Sequence, residues 1–208
     1  MDYLQQLIKR YPCLEPIKTD INAAFNIIVE SFTKDSKLLV AGNGGSAADA
    51  EHMVGELMKN FSKKRQLPKS FVSSIEVVDT EIARYLVPLL QPGLPAISLS
   101  NHASLNTAVI NDIDGAITFA QQVYGYGKEG DVFLGISTSG NAKNVIYAAA
   151  TAKAKKLKVI ALTGSTGGVL RRFADVTIMT PETETYKIQE LHLPIYHCLC
   201  LMLEERFF

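Results

Sequence analysis

Two short apolar runs end in the residue types that hold an anion. Leu38-Leu39-Val40-Ala41 passes straight into Gly42-Asn43-Gly44-Gly45-Ser46, and Val132-Phe133-Leu134-Gly135-Ile136 into Ser137-Thr138-Ser139-Gly140-Asn141. Each reads as a buried strand feeding a tight turn, with Ser46 placed to start a helix after the first. The first N–H groups of a helix have no internal partner and carry the positive end of its dipole, so a glycine-lined turn there can wrap a phosphate. Hydroxyls beside those N–H groups suit a phosphate monoester, which needs many donors and tolerates the absence of arginine. An ordinary strand-to-helix turn has the same local pattern. The first turn matches neither the Gly-Lys-Ser/Thr of a nucleotide P-loop nor the GxGxxG of a dinucleotide site.

Further chemistry is carried by helical positions. His52 and Glu56 are four apart, hence on one helix face about a turn from each other, where they can share a ligand. Spacing alone leaves His52 an ordinary helix histidine. Gln189 and His197 are eight apart, about 80° around a helix, so spacing does not pair them. Pro194 between them removes a backbone donor and is placed to kink the helix, which either aims His197 at a site or relieves packing. His192 reads as a packed or hydrogen-bonded helix residue rather than a ligand.

The elements that must position these groups follow from periodicity. Residues 1–35 carry no strand signal, and Ile17, Ile21, Ala24, Phe25, Ile28 and Phe32 fall at helical spacing. They predict a helical N-terminal arm, broken near Pro12 and Pro16, whose apolar stripe is covered by its own domain or by another subunit. After the first strand, a helix is expected from Ser46 to about Asn60, then an exposed basic connection from Phe61 to Lys69. One short inserted helix is expected over 75–91, with Asp79 or Thr80 as a cap. Strands are expected at 95–99, 132–136, 158–162 and 176–179. Between them come a helical turn at 104–110 and helices at 116–124, 142–155 and 168–174, and a long helix from about Thr185 to Glu205 ends the chain. Five apolar strands alternating with helices, without hairpin turns, make a parallel sheet covered on both faces. Ligands of such sheets sit at the carboxyl ends of the strands, so both turns can face one crevice.

A chain of 208 residues with 47% hydrophobic content has room for one well-buried α/β domain. The formal charge of zero and a pI near 6.9 argue against broad attraction to nucleic acid or an anionic membrane. Cys13, Cys198 and Cys200 are odd in number and lack CxxC spacing, which points to reduced thiols in the cytoplasm. No apolar run reaches the length of a signal core or membrane span.

The stretch Ala41-Gly42-Asn43-Gly44-Gly45-Ser46-Ala47-Ala48-Asp49-Ala50-Glu51-His52-Met53-Val54-Gly55-Glu56, with Gly135-Ile136-Ser137-Thr138-Ser139-Gly140-Asn141 and Ile188-Gln189-Glu190-Leu191-His192, resembles the sugar-isomerase (SIS) domain family. Within that family it is most similar to isomerases of seven-carbon sugar phosphates. The resemblance covers nearly the whole chain apart from residues 62–93, an inserted segment longer than in those enzymes. It implies a single doubly wound α/β domain over residues 1–208, built on a five-stranded parallel sheet with an N-terminal helical arm and a long C-terminal helix. The implied activity is aldose/ketose phosphate isomerisation through an enediol, taking sedoheptulose 7-phosphate to D-glycero-D-manno-heptose 7-phosphate for a surface glycan. Glu56 matches the family's base and His197 its acid, residue types suited to proton transfer near neutrality. His52, Glu56, Gln189 and His197 match positions that bind one zinc per site in many members. Asn43, Gly44, Gly45, Ser46, Ser137, Thr138, Ser139 and Gln189 match substrate and phosphate contacts, and Asn111 and Asp112 a pair contacting the sugar. A cytoplasmic homotetramer with sites built between subunits is implied, with neither nucleic acid nor membrane as partner.

Three departures fall at substrate-contact positions: Ala142 replaces a serine, Asn60 an arginine before Phe61, and Tyr186 a small or acidic residue. They bear on the exact sugar more than on the reaction. Two other readings remain open, an isomerase of another sugar phosphate and a non-catalytic SIS protein that associates with the replication initiator. The second type lacks the Glu and His pair that this chain keeps.

Overall fold

The computed structural model describes residues 2–208. The chain opens with α1 (Tyr3–Arg10), a 3-10 turn (Pro12–Ile17) and α2 (Lys18–Thr33), then β1 (Leu38–Ala41) and α3 (Gly45–Met58). The segment between α3 and the second strand holds α4 (Lys69–Val78) and α5 (Thr80–Leu86). There follow β2 (Ala96–Ser98), α6 (Ala103–Asp112), α7 (Thr118–Tyr126), β3 (Val132–Ser137), α8 (Lys143–Ala154), β4 (Lys158–Thr163), β5 (Val176–Met179) and α9 (Thr185–Phe207).

The five strands form one parallel sheet in the order β2-β1-β3-β4-β5, with Leu38 paired to Val132 and Gly135 to Ala161. Successive side chains alternate between faces, and the two cores divide accordingly. Leu38, Val40, Leu134 and Ile136 pack with α1, α2, α3 and α9, whereas Leu39, Ala41 and Phe133 pack with α7 and α8. The arm's stripe is covered by its own domain, since Ile21, Ala24 and Ile28 are fully buried in the same core as Leu199 and Leu203 of α9. Both prolines fall in the 3-10 turn that separates α1 from α2.

Local details differ from expectation. The helix expected over 75–91 is two helices, because Asp79 takes an extended conformation and its Oδ1 accepts from the Ile82 N–H at 2.9 Å, capping α5. The helix expected at 168–174 shrinks to a 3-10 turn at Leu170–Arg172, preceded by Gly167 and Gly168 at φ +69° and +55°. α3 begins at Gly45 rather than Ser46, with Gly44 as its cap at φ +54°. α9 runs unbroken through Pro194.

Candidate active site

β1 and β3 are neighbours in the sheet, and the helices that follow them, α3 and α8, pack on opposite faces. Their turns therefore flank the switch point of the topology, where open α/β sheets bind ligands. In the first turn Asn43, Gly44 and Gly45 are exposed, while Ser46 is buried. A Cβ on Gly42 would strike the Ser46 carbonyl, so this turn closes only with glycine there. In the second turn Ser139 is exposed, Thr138 half-buried and Ser137 buried. Gly140, at φ +66°, lies against the backbone of Gly167, and Asn141 Oδ1 accepts the Val169 N–H at 3.0 Å. The first turn is joined to the start of α8, just beyond the second turn, by the side chains of Asn43 and Asn144, which exchange two hydrogen bonds of 2.9 Å.

The second group of residues lies along the seam between α3 and α9. These helices run parallel, because both leave the carboxyl edge of the sheet, so positions correspond in order along them. Gln189 stands beside Gly45, Tyr196 and His197 beside His52, and Cys200 beside Met53. His52 Nε2 is 3.3 Å from Glu56 Oε1, and its Nδ1 is 3.0 Å from the Tyr196 hydroxyl. The His197 ring meets His52 edge-on, with centroids 4.9 Å apart, and leans on Phe61 at 5.3 Å. Its Nε2 is buried without a protein partner. Burial, reinforced by His52 and opposed by Glu56, holds the His197 pKa below the usual histidine range. Lys59 Nζ lies 3.3 Å from Glu56 Oε2. Asp49, one turn before His52, joins the cluster through Tyr196; burial raises its carboxyl pKa against the opposing effects of Tyr196 and His52.

Glu56 and His197, the expected base and acid, are thus brought together with His52. Gln189 is not. An added Cβ on Gly45 would stand 2.5 Å from the Gln189 amide nitrogen, and eight residues of helix separate Gln189 from His197 by about 12 Å. As donors for zinc, His52, Glu56 and His197 have suitable chemistry and lie at one end of the seam, whereas Gln189 sits at the turn. Among the described residues no group of three or more His, Cys, Asp or Glu side chains stands at metal-holding spacing. Asn111 and Asp112 are exposed at the end of α6, where the Asn111 amide donates to the Asp112 carboxylate at 2.8 Å and neither bonds to the turns. His192 is fully buried, and burial pulls its pKa down to about 4. Of the departures, Ala142 occupies the cap of α8 without a side-chain bond, Tyr186 is exposed, and the Asn60 N–H donates to Gln91 Oε1 at 2.8 Å.

The basic connection at 61–69 hides a feature that sequence reasoning missed. Arg65 and Glu204 are a buried ion pair, Nε to Oε1 at 3.0 Å, with each side chain 1% exposed. The Glu204 carboxylate also accepts the N–H groups of Phe61, Ser62 and Lys63 at 2.8, 2.7 and 3.0 Å. Burial raises its pKa, but these donors outweigh that effect and hold it below the usual value.

A family model described as the SIS domain matches residues 2–86 and 80–164. The chain is 38% identical to the phosphoheptose isomerase of Aneurinibacillus thermoaerophilus over 180 residues, covering 86% of this chain and 78% of that protein. It is 37% identical to the phosphoheptose isomerase of Nitratiruptor sp. over 193 residues, covering 93% and 89%. The structure of phosphoheptose isomerase GmhA from Neisseria gonorrhoeae aligns with a TM-score of 0.75 at 30% identity, covering 97% of this chain and 94% of that one. A phosphoheptose isomerase from Francisella tularensis aligns with a TM-score of 0.75 at 29% identity, covering 98% and 95%.

Proposed function

This chain belongs to the SIS domain family, and from that premise we propose that it is a phosphoheptose isomerase, interconverting sedoheptulose 7-phosphate and D-glycero-D-manno-heptose 7-phosphate. The observation that carries this reading is the meeting of Glu56 with the His52–His197 ring pair at the seam of α3 and α9. Isomerisation moves a carbonyl between C1 and C2. Glu56 takes a proton from C1 of the ketose while His197 gives one to the C2 oxygen, forming the enediol. Glu56 then returns the carbon proton to C2 and the C1 hydroxyl proton passes to His197, which completes the aldose and restores both side chains. Burial lowers the His197 pKa, which favours the neutral ring, and its Nε2 has no protein partner to compete with a substrate oxygen. The serine-rich and glycine-rich turns anchor the phosphate through N–H and hydroxyl donors. A zinc ion on His52, Glu56 and His197 would supply carbonyl polarisation; the proton steps above are assigned to the side chains themselves.

A homotetramer with shared sites is part of the proposal. Eight bonds of ~1.5 Å separate C1 from phosphorus in the substrate, a span of about 10 Å when extended. Ser46 and Glu56 lie ten residues apart on α3, about 15 Å of helix rise. One extended substrate falls short of both within a single chain, which supports pairing the turns of one copy with the acid and base of another. Val77 and Val78 of α4 with Ile82 and Tyr85 of α5, all exposed, give such a contact an apolar surface. Among the described residues no helix is long and apolar enough to cross a membrane, and the free cysteines support a cytoplasmic setting.

The test is turnover of sedoheptulose 7-phosphate by the purified protein, with and without zinc, followed by NMR of the product. Wild type should convert it, and Glu56→Gln should lower kcat by about 10²–10⁴ while still binding the phosphate. If zinc-supplied wild type converts neither this ketose phosphate nor any of a panel, the isomerase reading falls.

A further inference from the structure

The buried pair of Arg65 and Glu204 reaches both members of the acid–base pair from behind. Arg65 Nη2 donates to the carbonyl of Glu56 itself at 3.1 Å and Nη1 to that of Leu57 at 2.7 Å. These carbonyls belong to the last turn of α3, where no helical partner remains, so the guanidinium caps the helix that carries the base. Glu204 collects the N–H groups of Phe61, Ser62 and Lys63, and the Phe61 ring lies against His197. Glu204 also follows His197 by seven residues on α9, about two turns. One connected network therefore runs from the backbone of Glu56 to the ring beside His197, and the Phe208 ring covers its guanidinium at 4.5 Å.

We propose that Arg65 and Glu204 are positioning residues, a clasp that sets the spacing between Glu56 and His197 and thereby the rate of proton transfer. The inference rests on the isomerase reading above. Buried ion pairs are poor sources of net stability, because apolar residues of similar volume fill such places as well. What this pair supplies is geometry. Only a planar fork can serve two helix-end carbonyls and a carboxylate at once, and lysine offers a single point of attachment. Displacement of a reacting group by about 1 Å can cost up to a hundredfold in rate. The phosphate turns stand at the opposite end of α3, so a loosened clasp leaves the anchor of the substrate in place.

The experiment compares wild type with Arg65→Lys and Glu204→Asp. Arg65→Lys keeps the charge and loses the fork; Glu204→Asp keeps the charge and shortens the reach. Steady-state turnover of sedoheptulose 7-phosphate is measured alongside calorimetric affinity for inorganic phosphate and folding by circular dichroism. The expected result is a kcat tenfold to a hundredfold lower in both variants, with KM and phosphate affinity within twofold of wild type. A kcat within twofold of wild type, per folded protein, overturns the proposal, and so does an equal loss in phosphate affinity. Should Glu204→Asp not fold, Arg65→Lys alone decides; failure of both to fold at 25 °C overturns the positioning role in favour of a purely structural one. A wild type without turnover overturns the isomerase reading and the clasp's effect on rate with it, whereas an active wild type matched by its variants overturns the clasp alone.

Discussion

Asn43 and Asn144, 101 residues apart, each donate an amide N–H to the other's carbonyl oxygen at 2.9 Å, lacing the turn after β1 to the helix after β3. Asn144 Oδ1 also accepts the Val145 N–H at 3.0 Å, which fixes its orientation on α8. Asn144→Ala should free Asn43 and widen the crevice, raising KM for the sugar phosphate about threefold to tenfold. The loss of two exposed hydrogen bonds should cost about 1 kcal/mol in a urea melt. An unchanged KM would show that the lacing has no part in binding.

His192 gives the protein an acid limit. It is fully buried with a pKa lowered to about 4, against 6.5 for a free histidine side chain. Below 6.5 the unfolded chain takes up a proton that the folded chain refuses until about 4, so stability is complete above 6.5 and declines as the pH falls through this window. The decline should reach about 3 kcal/mol, read from urea midpoints between pH 7 and 4. His192→Leu should flatten this part of the profile.

Zinc separates the three gathered donors from the fourth. If His52, Glu56 and His197 bind it, a saturating addition should raise the Tm of chelator-treated wild type by several degrees. His52→Ala should abolish that rise and Gln189→Ala should preserve it, measured by differential scanning fluorimetry. Loss of the rise in Gln189→Ala would instead assign the amide to the metal.

None of the ten residues of α4 is buried, and Val77, Val78, Ile82 and Tyr85 are 88%, 81%, 53% and 70% exposed. Apolar exposure on this scale across two successive helices marks a contact surface. Val78→Glu combined with Ile82→Glu should reduce the sedimentation coefficient relative to wild type at equal concentration. Identical sedimentation would remove this surface from the assembly.

The parts legible in the sequence are those whose physics is local. The strands announce themselves as apolar runs closed by glycine or serine, and the helical interval of His52 and Glu56 places them on one face. Asp79 and Thr80 both offered themselves as a cap, yet the helices on either side of Asp79 share one apolar periodicity and read as a single element. Gly167 and Gly168 shorten the following helix through positive φ angles that composition alone does not reveal. Arg65 was hidden for a different reason. Beside Lys63 and Lys64 it reads as solvated charge, and its partner is 139 positions away with no local mark of the pairing. Gln189 shows the same limit: the helix was legible, but only packing against Gly45 shows which end of the seam its amide serves.

The long excursion after α3 returns to where it left. The Leu94 N–H donates to the Leu57 carbonyl at 2.9 Å, and Gln91 reaches back to Asn60. Because entry and exit share one point, the intervening chain behaves as a cassette: doubling its length costs only about 0.6 kcal/mol in closure entropy. Residues 67–90 can therefore lengthen, shrink or be exchanged while Arg65 and the sheet stay in register. The exposed surface of α4 and α5 can change in this way without shifting the backbone that carries Glu56 and His197.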